Sequence, residues 1–96
     1  MGHKVIFSPQ SLVRIEGIVA YIAKDNPGAA LRFGMRLVDH ASLLADFPEL
    51  GRPYRKRPNV KRLFCKPYFI YYRVRHDVRL VEIMEFWHSA RQEPEL

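Results

Sequence analysis

Tyr68-Phe69-Ile70-Tyr71-Tyr72-Arg73-Val74-Arg75-His76-Asp77-Val78-Arg79-Leu80-Val81-Glu82-Ile83 decides the fold class. Aromatic and β-branched residues dominate it, and such residues suit a pleated, half-buried surface. Tyr68, Ile70, Tyr72 and Val74 alternate along the first run, so one face of a strand over residues 68–75 meets a core. Residues 78–87 form a second run with Val81 and Ile83 inward, and His76-Asp77 between the two is placed for a tight hairpin turn. Upstream, residues 60–64 read as a third strand, joined to the meander through Lys66-Pro67.

The pattern changes toward the N-terminus. Lys4-Val5-Ile6-Phe7 is a short strand, and Ser8-Pro9 starts a helix: the serine hydroxyl accepts from free N–H groups, and proline fits the first turn. Leu12, Ile15, Val19 and Ile22 recur at helical spacing, with Ile18 beside them. Lys24-Asp25-Asn26-Pro27 ends this helix and caps the next, whose stripe is Ala30, Phe33, Leu37, Ala41 and Leu44, closed off by Pro48 and Gly51. So short a connection predicts an antiparallel helical hairpin. Residues 52–59, with two prolines among four basic residues, read as an extended loop, and the tail is expected to fray beyond Arg91. The expected fold is α+β, in the order β-α-α-β-β-β, with the helical hairpin packed on a small, curved, mostly antiparallel sheet in one domain spanning residues 1–96.

Composition narrows the function. The chain has 96 residues, 48% of them hydrophobic, and a formal charge of +6, which favours a packed core over disorder. Between Glu49 and Asp77 there is no acidic residue, and Arg52, Arg55, Lys56, Arg57, Lys61, Arg62, Lys66, Arg73 and Arg75 fall there. Such a run projects a positive field toward polyanions or acidic protein surfaces. The plainer reading is a solvated basic face. The lone Cys65 has no cysteine partner for a disulfide or a zinc site. His3, His40, His76 and His88 lack metal-ligand spacing, and the glycines are too scattered for a phosphate loop, so neither metal nor cofactor is expected. No apolar run reaches membrane-helix length, and the first residues lack a signal-peptide core, so a cytoplasmic protein is expected.

Several stretches, in order, resemble the RelE/ParE toxin superfamily. They are Val5-Ile6-Phe7-Ser8-Pro9, Tyr21-Ile22-Ala23 with Asp25-Asn26-Pro27 and Ala29-Ala30, Phe47-Pro48, Gly51-Arg52, Pro58 and Val60-Lys61-Arg62-Leu63. Tyr68 to Val74, Val81-Glu82-Ile83 and His88-Ser89-Ala90-Arg91 complete the set. The resemblance implies a type II toxin held silent by a cognate antitoxin encoded by the adjacent gene. It spans two target classes. ParE-like members, toxins of plasmid stabilisation systems, inhibit DNA gyrase; RelE-like members are ribosome-dependent mRNA endoribonucleases.

A nuclease needs a base, an acid and cations around the scissile phosphate. Here those roles would fall to His88, Arg91, Arg62 and Arg73. Against this, Phe64 stands where the resemblance implies an arginine, and no tyrosine follows Arg91. A lone histidine more often ends a strand than performs catalysis, with Arg91 paired to Glu82 or Glu85. The ending resembles ParE more closely, so no catalytic residue is expected, and Arg52, Arg57, Arg62, Trp87, His88 and Arg91 are the expected target-binding set. Either Phe86 or Trp87 should face outward, and an outward tryptophan beside Arg91 suits an interface anchor. Tyr68, Tyr71 and Tyr72 would stack bases on an RNA-binding sheet, or, more commonly, line a sheet core. Tyr21 and Phe33 are the expected antitoxin contacts, at a seam between helices and sheet.

Overall fold

The computed structural model describes residues 2–96; Met1, included in the single-domain reading, lies outside the described residues. The element order is β1 (Lys4–Phe7), α1 (Pro9–Ala23), α2 (Pro27–Leu43), β2 (Arg52–Tyr54), β3 (Arg57–Cys65), β4 (Tyr68–Arg75) and β5 (Leu80–His88). All five strands join one sheet in the order β1-β5-β4-β3-β2. Every pairing is antiparallel except that of β1, which lies parallel to β5, Lys4 opposite Leu80 and Phe7 opposite Ile83.

The helix starts are those the caps dictate. The Ser8 hydroxyl accepts from Ser11 N–H at 3.0 Å, and the Asn26 side-chain oxygen accepts from Ala29 N–H at 3.0 Å. Each cap contributes about 1 kcal/mol. On α2 the expected stripe faces the sheet: Ala30, Leu37 and Ala41 are buried, as is Leu44 just past the helix. On α1 the stripe is rotated from expectation. Ser11, Ile15, Ile18 and Ile22 face inward, whereas Leu12 is exposed. Ser11 tolerates this burial because its hydroxyl donates to Ser8 C=O at 2.8 Å.

The helices cover one face of the sheet, where Ile70, Tyr72, Val81, Ile83 and Phe86 meet Ile18, Leu37 and Leu44. Burying each large side chain stabilises the fold by about 1.5–3 kcal/mol. A second, smaller core lies on the opposite face: Tyr54, Val60 and Tyr71, with Phe69, Met84, Trp87 and Leu96 packed against them. A bulge in β5 beside Tyr71 and Tyr72 shifts the alternation, so that Ile83 and Phe86 both point toward the helices.

Further expectations need correction. Residues 52–59 are not a continuous loop. Arg52–Tyr54 is an edge strand on β3, which itself begins at Arg57, so the order is β-α-α-β-β-β-β. Prolines are tolerated because β2 is an edge strand and Pro58 sits second in β3, before its paired stretch with β4 begins at Lys61. The turn between β4 and β5 covers residues 76–79 instead of His76-Asp77 alone, with Arg79 at φ 53°, and β5 starts at Leu80 instead of Val78.

The tail does not fray beyond Arg91. Trp87 Nε1 donates to Gln92 C=O at 2.8 Å, the Tyr54 hydroxyl donates to Pro94 C=O at 3.3 Å, and Arg57 donates to Leu96 C=O. These three donors fix the tail across the second core, and the bond from Tyr54 satisfies a buried hydroxyl.

Candidate functional site

The end of β5 gathers much of the expected chemistry. Phe86 is buried toward the helices, and Trp87 points to the other face. Two guanidinium groups approach the Trp87 ring, Arg91 at 4.3 Å from its centroid and Arg14 at 5.0 Å. Cations over an aromatic face are attracted by its quadrupole. Arg14 also bonds Glu85 at 2.9 Å, and Gln10 donates to the same carboxylate at 3.2 Å. The bond to Glu85 raises the Arg14 pKa, so this guanidinium stays charged.

His88 closes the strand. Its ring packs edge-on against Tyr68 at 5.0 Å, and its Nδ1 accepts from Ala90 N–H at 3.0 Å. That bond places the proton of the neutral ring on Nε2, which is then a donor and not a base. Burial raises the Tyr68 pKa, with Arg91 opposing it and Tyr21 adding to it, so the phenol stays protonated.

The four candidate nuclease residues do not all converge: His88 and Arg91 line one groove, and Arg62 and Arg73 lie elsewhere. Tyr68 pairs with His88 on the helix-facing side of the sheet, whereas Arg62 and Arg73 lie opposite Tyr71 and Glu82 on the other side. Arg73 is held by Glu82 at 2.6 Å. Arg62 sits 4.0 Å over the Phe69 ring and 5.7 Å from Tyr54, donates to the Tyr71 hydroxyl at 3.3 Å, and pairs with Glu93 at 3.6 Å. Arg91 stacks on Trp87 and does not pair with Glu82 or Glu85, both of which serve other arginines.

Of the expected target-binding residues, Trp87, His88 and Arg91 cluster at the β5 terminus. Arg57 and Arg62 lie beneath the tail, and Arg52 is exposed on the far edge strand. Tyr21 and Phe33 both lie near Tyr68. Phe33 packs on Tyr68 at 5.6 Å, and the exposed Tyr21 lines a groove with Tyr68, His88 and Arg91. Tyr68 is a core-edge tyrosine, and its ring contacts are with Phe33 and His88.

Two participants escaped sequence reasoning. Glu93 draws Arg55, Lys56 and Arg62 to one carboxylate at 3.3–3.6 Å, yet no periodic pattern marks it. Arg14 reads in sequence as an ordinary polar helix position. Only its spacing from Gln10, one turn earlier, hints at a shared face. Among the described residues no three His, Cys, Asp or Glu side chains form a metal-binding group, and no helix is long and apolar enough to cross a membrane.

The family described as ParE toxin of type II toxin-antitoxin system, parDE, matches residues 5–93. The chain belongs to this family. It is 33% identical over 94 residues to Y4kP of Sinorhizobium fredii, whose name marks it as a candidate toxin, covering 97% of this chain and 95% of that protein. Two solved structures share the fold. A chain of the chromosomal ParDE toxin–antitoxin system from P. aeruginosa superposes with a TM-score of 0.76 at 19% identity, covering 90% of this chain and 95% of that one. A chain of the RelBE2 toxin–antitoxin complex from Mycobacterium tuberculosis gives 0.71 at 20% identity, covering 92% and 99%. This ParE-family chain thus carries the two-helix, mixed-sheet α+β fold of both.

Proposed function

We propose that this chain is a non-enzymatic toxin that inhibits DNA gyrase and is neutralised by direct binding of a cognate antitoxin encoded beside it, in the cytoplasm. One observation carries the choice against RNA cleavage: His88 and the arginines Arg62 and Arg73 lie on opposite faces of one sheet. General acid–base chemistry needs its groups within hydrogen-bond reach of one phosphate, and a sheet between them forbids that. The arginines are also engaged by Glu93 and Glu82. A contact surface needs no such convergence. The exposed Arg52, the stacked Trp87–Arg91 pair and the net charge of +6 suit a target that presents acidic patches or bound DNA.

The test is a pair of assays on the purified chain. Gyrase supercoiling should be inhibited, with cleaved DNA accumulating. Translating ribosomes should leave mRNA intact. Cleavage of mRNA on ribosomes with gyrase unaffected would replace this reading with the RelE-like one.

A further inference from the structure

Residues 92–96 cover the sheet face that the helices leave open, where Tyr54, Val60 and Tyr71 form the second core. Three backbone carbonyls hold them there. Gln92 C=O accepts from Trp87 Nε1 at 2.8 Å, Pro94 C=O from the Tyr54 hydroxyl at 3.3 Å, and Leu96 C=O from Arg57. These carbonyls belong to alternate residues, the spacing at which an extended peptide presents groups to one side. Between the first two, the Glu93 carboxylate meets Arg55 at 3.3 Å, Lys56 at 3.5 Å and Arg62 at 3.6 Å. The donors thus form a trough that holds a peptide backbone and one carboxylate side chain.

The two parts of the tail do different work. Pro94 is buried and Leu96 packs on the second core, so the apolar cover is theirs. Glu93 occupies cations. The Arg55 side chain is 80% exposed, and the pairs of Arg55 and Lys56 with Glu93 lie in solvent and contribute little to stability. Release of Glu93 therefore costs little and leaves three cations in one place without a carboxylate.

We infer that this trough is a binding site for an extended acidic peptide segment of the toxin's target, and that residues 92–96 fill it as an internal competitor until the target displaces them. The inference rests on the gyrase reading and adds the kind of segment by which the target is held. The donors favour a peptide over a nucleic-acid strand. Trp87, Tyr54 and Arg57 meet carbonyls at every second residue, and few aromatic faces are open for a base to stack on. Tyr54 and Tyr71 pack edge to face at 5.0 Å, and Arg62 lies 4.0 Å over the Phe69 ring. A site filled in the free chain binds its partner more weakly, in proportion to the fraction of molecules in which it is vacant, so loosening the tail strengthens the toxin.

The experiment titrates the purified full chain against DNA gyrase and, separately, against two probes, poly-L-glutamate and single-stranded oligothymidylate. Backbone 15N relaxation at Gln92, Glu93, Glu95 and Leu96 reports whether the tail is fixed or free. Poly-L-glutamate should free the tail, and oligothymidylate should not. Glu93→Gln, which leaves the trough intact, should lower severalfold both the poly-L-glutamate needed and the toxin concentration that inhibits supercoiling. Arg55→Glu added to Glu93→Gln acts where no internal carboxylate competes, and should reverse that gain by at least about tenfold. Arg32→Gln added to Glu93→Gln removes a charge from the exposed side of α2 and should change it less than about twofold. Thermal unfolding of each variant separates loss of fold from loss of contact.

If Glu93→Gln leaves inhibition and tail release unchanged, or weakens both with the fold intact, the tail is a structural cover only and the proposal is overturned. Release of the tail by oligothymidylate in place of poly-L-glutamate would assign the trough to nucleic acid and overturn it equally. If gyrase is inhibited while the tail stays fixed in the complex, the gyrase reading stands and this inference fails. If poly-L-glutamate frees the tail as expected but gyrase is unaffected, the gyrase reading fails and the acidic-peptide site stands.

Discussion

Replacing Tyr72 with phenylalanine removes one oxygen and unties the segment leading into β2. The Tyr72 ring is fully buried, and its hydroxyl donates to Pro48 C=O at 2.8 Å while accepting from Gly51 N–H at 2.8 Å. Burial raises the pKa of this phenol, so it remains a donor at neutral pH. Gly51 is itself buried, so Tyr72→Phe leaves its N–H without water or partner, at a cost of about 1–3 kcal/mol. The half-buried Pro48 carbonyl recovers solvent in part and adds about 0.5–1 kcal/mol.

The expected loss is therefore about 2–3 kcal/mol, or roughly 10–20 °C in Tm for a chain of this size. Urea unfolding, with an unchanged m-value, gives the number directly. Gly51→Ala offers an independent check, because a Cβ there would lie 2.7 Å from both the Arg62 carbonyl and the Tyr72 hydroxyl. A loss below about 0.5 kcal/mol for Tyr72→Phe would refute the reasoning, since neither group would then depend on the hydroxyl.

Gly17 is an exposed helix-interior glycine where an added Cβ meets nothing within 4 Å. Gly17→Ala should therefore stabilise the chain by about 0.5–1 kcal/mol, read as a rise in Tm. Glu93→Ala releases Arg55, Lys56 and Arg62, but these pairs are partly solvated, so the loss should be about 1 kcal/mol or less. The gap between that variant and the wild type should narrow in 1 M salt, where screening reaches about 3 Å. Glu49 has a lowered pKa, first through its bond from Lys61 and then through His76. A depressed carboxylate pKa stabilises the fold above the unfolded value, and that contribution disappears as pH falls through the folded one. The stability difference between wild type and Lys61→Met should accordingly shrink below about pH 4, measured by denaturation across pH.

Much of the fold was legible because local chemistry and burial agree. Ser8-Pro9 and Asn26-Pro27 set both helix starts, and the alternation from Tyr68 to Val74 assigned β4 its inner face. Residues 52–54 were misread because prolines and arginines usually mark loops, whereas an edge strand needs only half its backbone groups paired. Leu12 was placed inward because periodicity alone does not say which of two adjacent apolar stripes meets the sheet; the buried Ser11 turns the helix. The tail reads as loose in the sequence because two of its anchors, the donors on Tyr54 and Arg57, are remote from it along the chain. At the site, the cluster of Trp87, His88 and Arg91 follows from adjacency, and the separation of His88 from Arg62 and Arg73 follows from strand register.

The parallel pairing of β1 with β5 has a consequence during synthesis. The first strand to emerge from the ribosome waits for the last before it has a neighbour, so the sheet is finished only when nearly the whole chain is available. Contacts that close so large a loop form slowly. The basic middle segment therefore spends its first moments on an incomplete sheet, without the tail that later clasps Arg57 and Arg62.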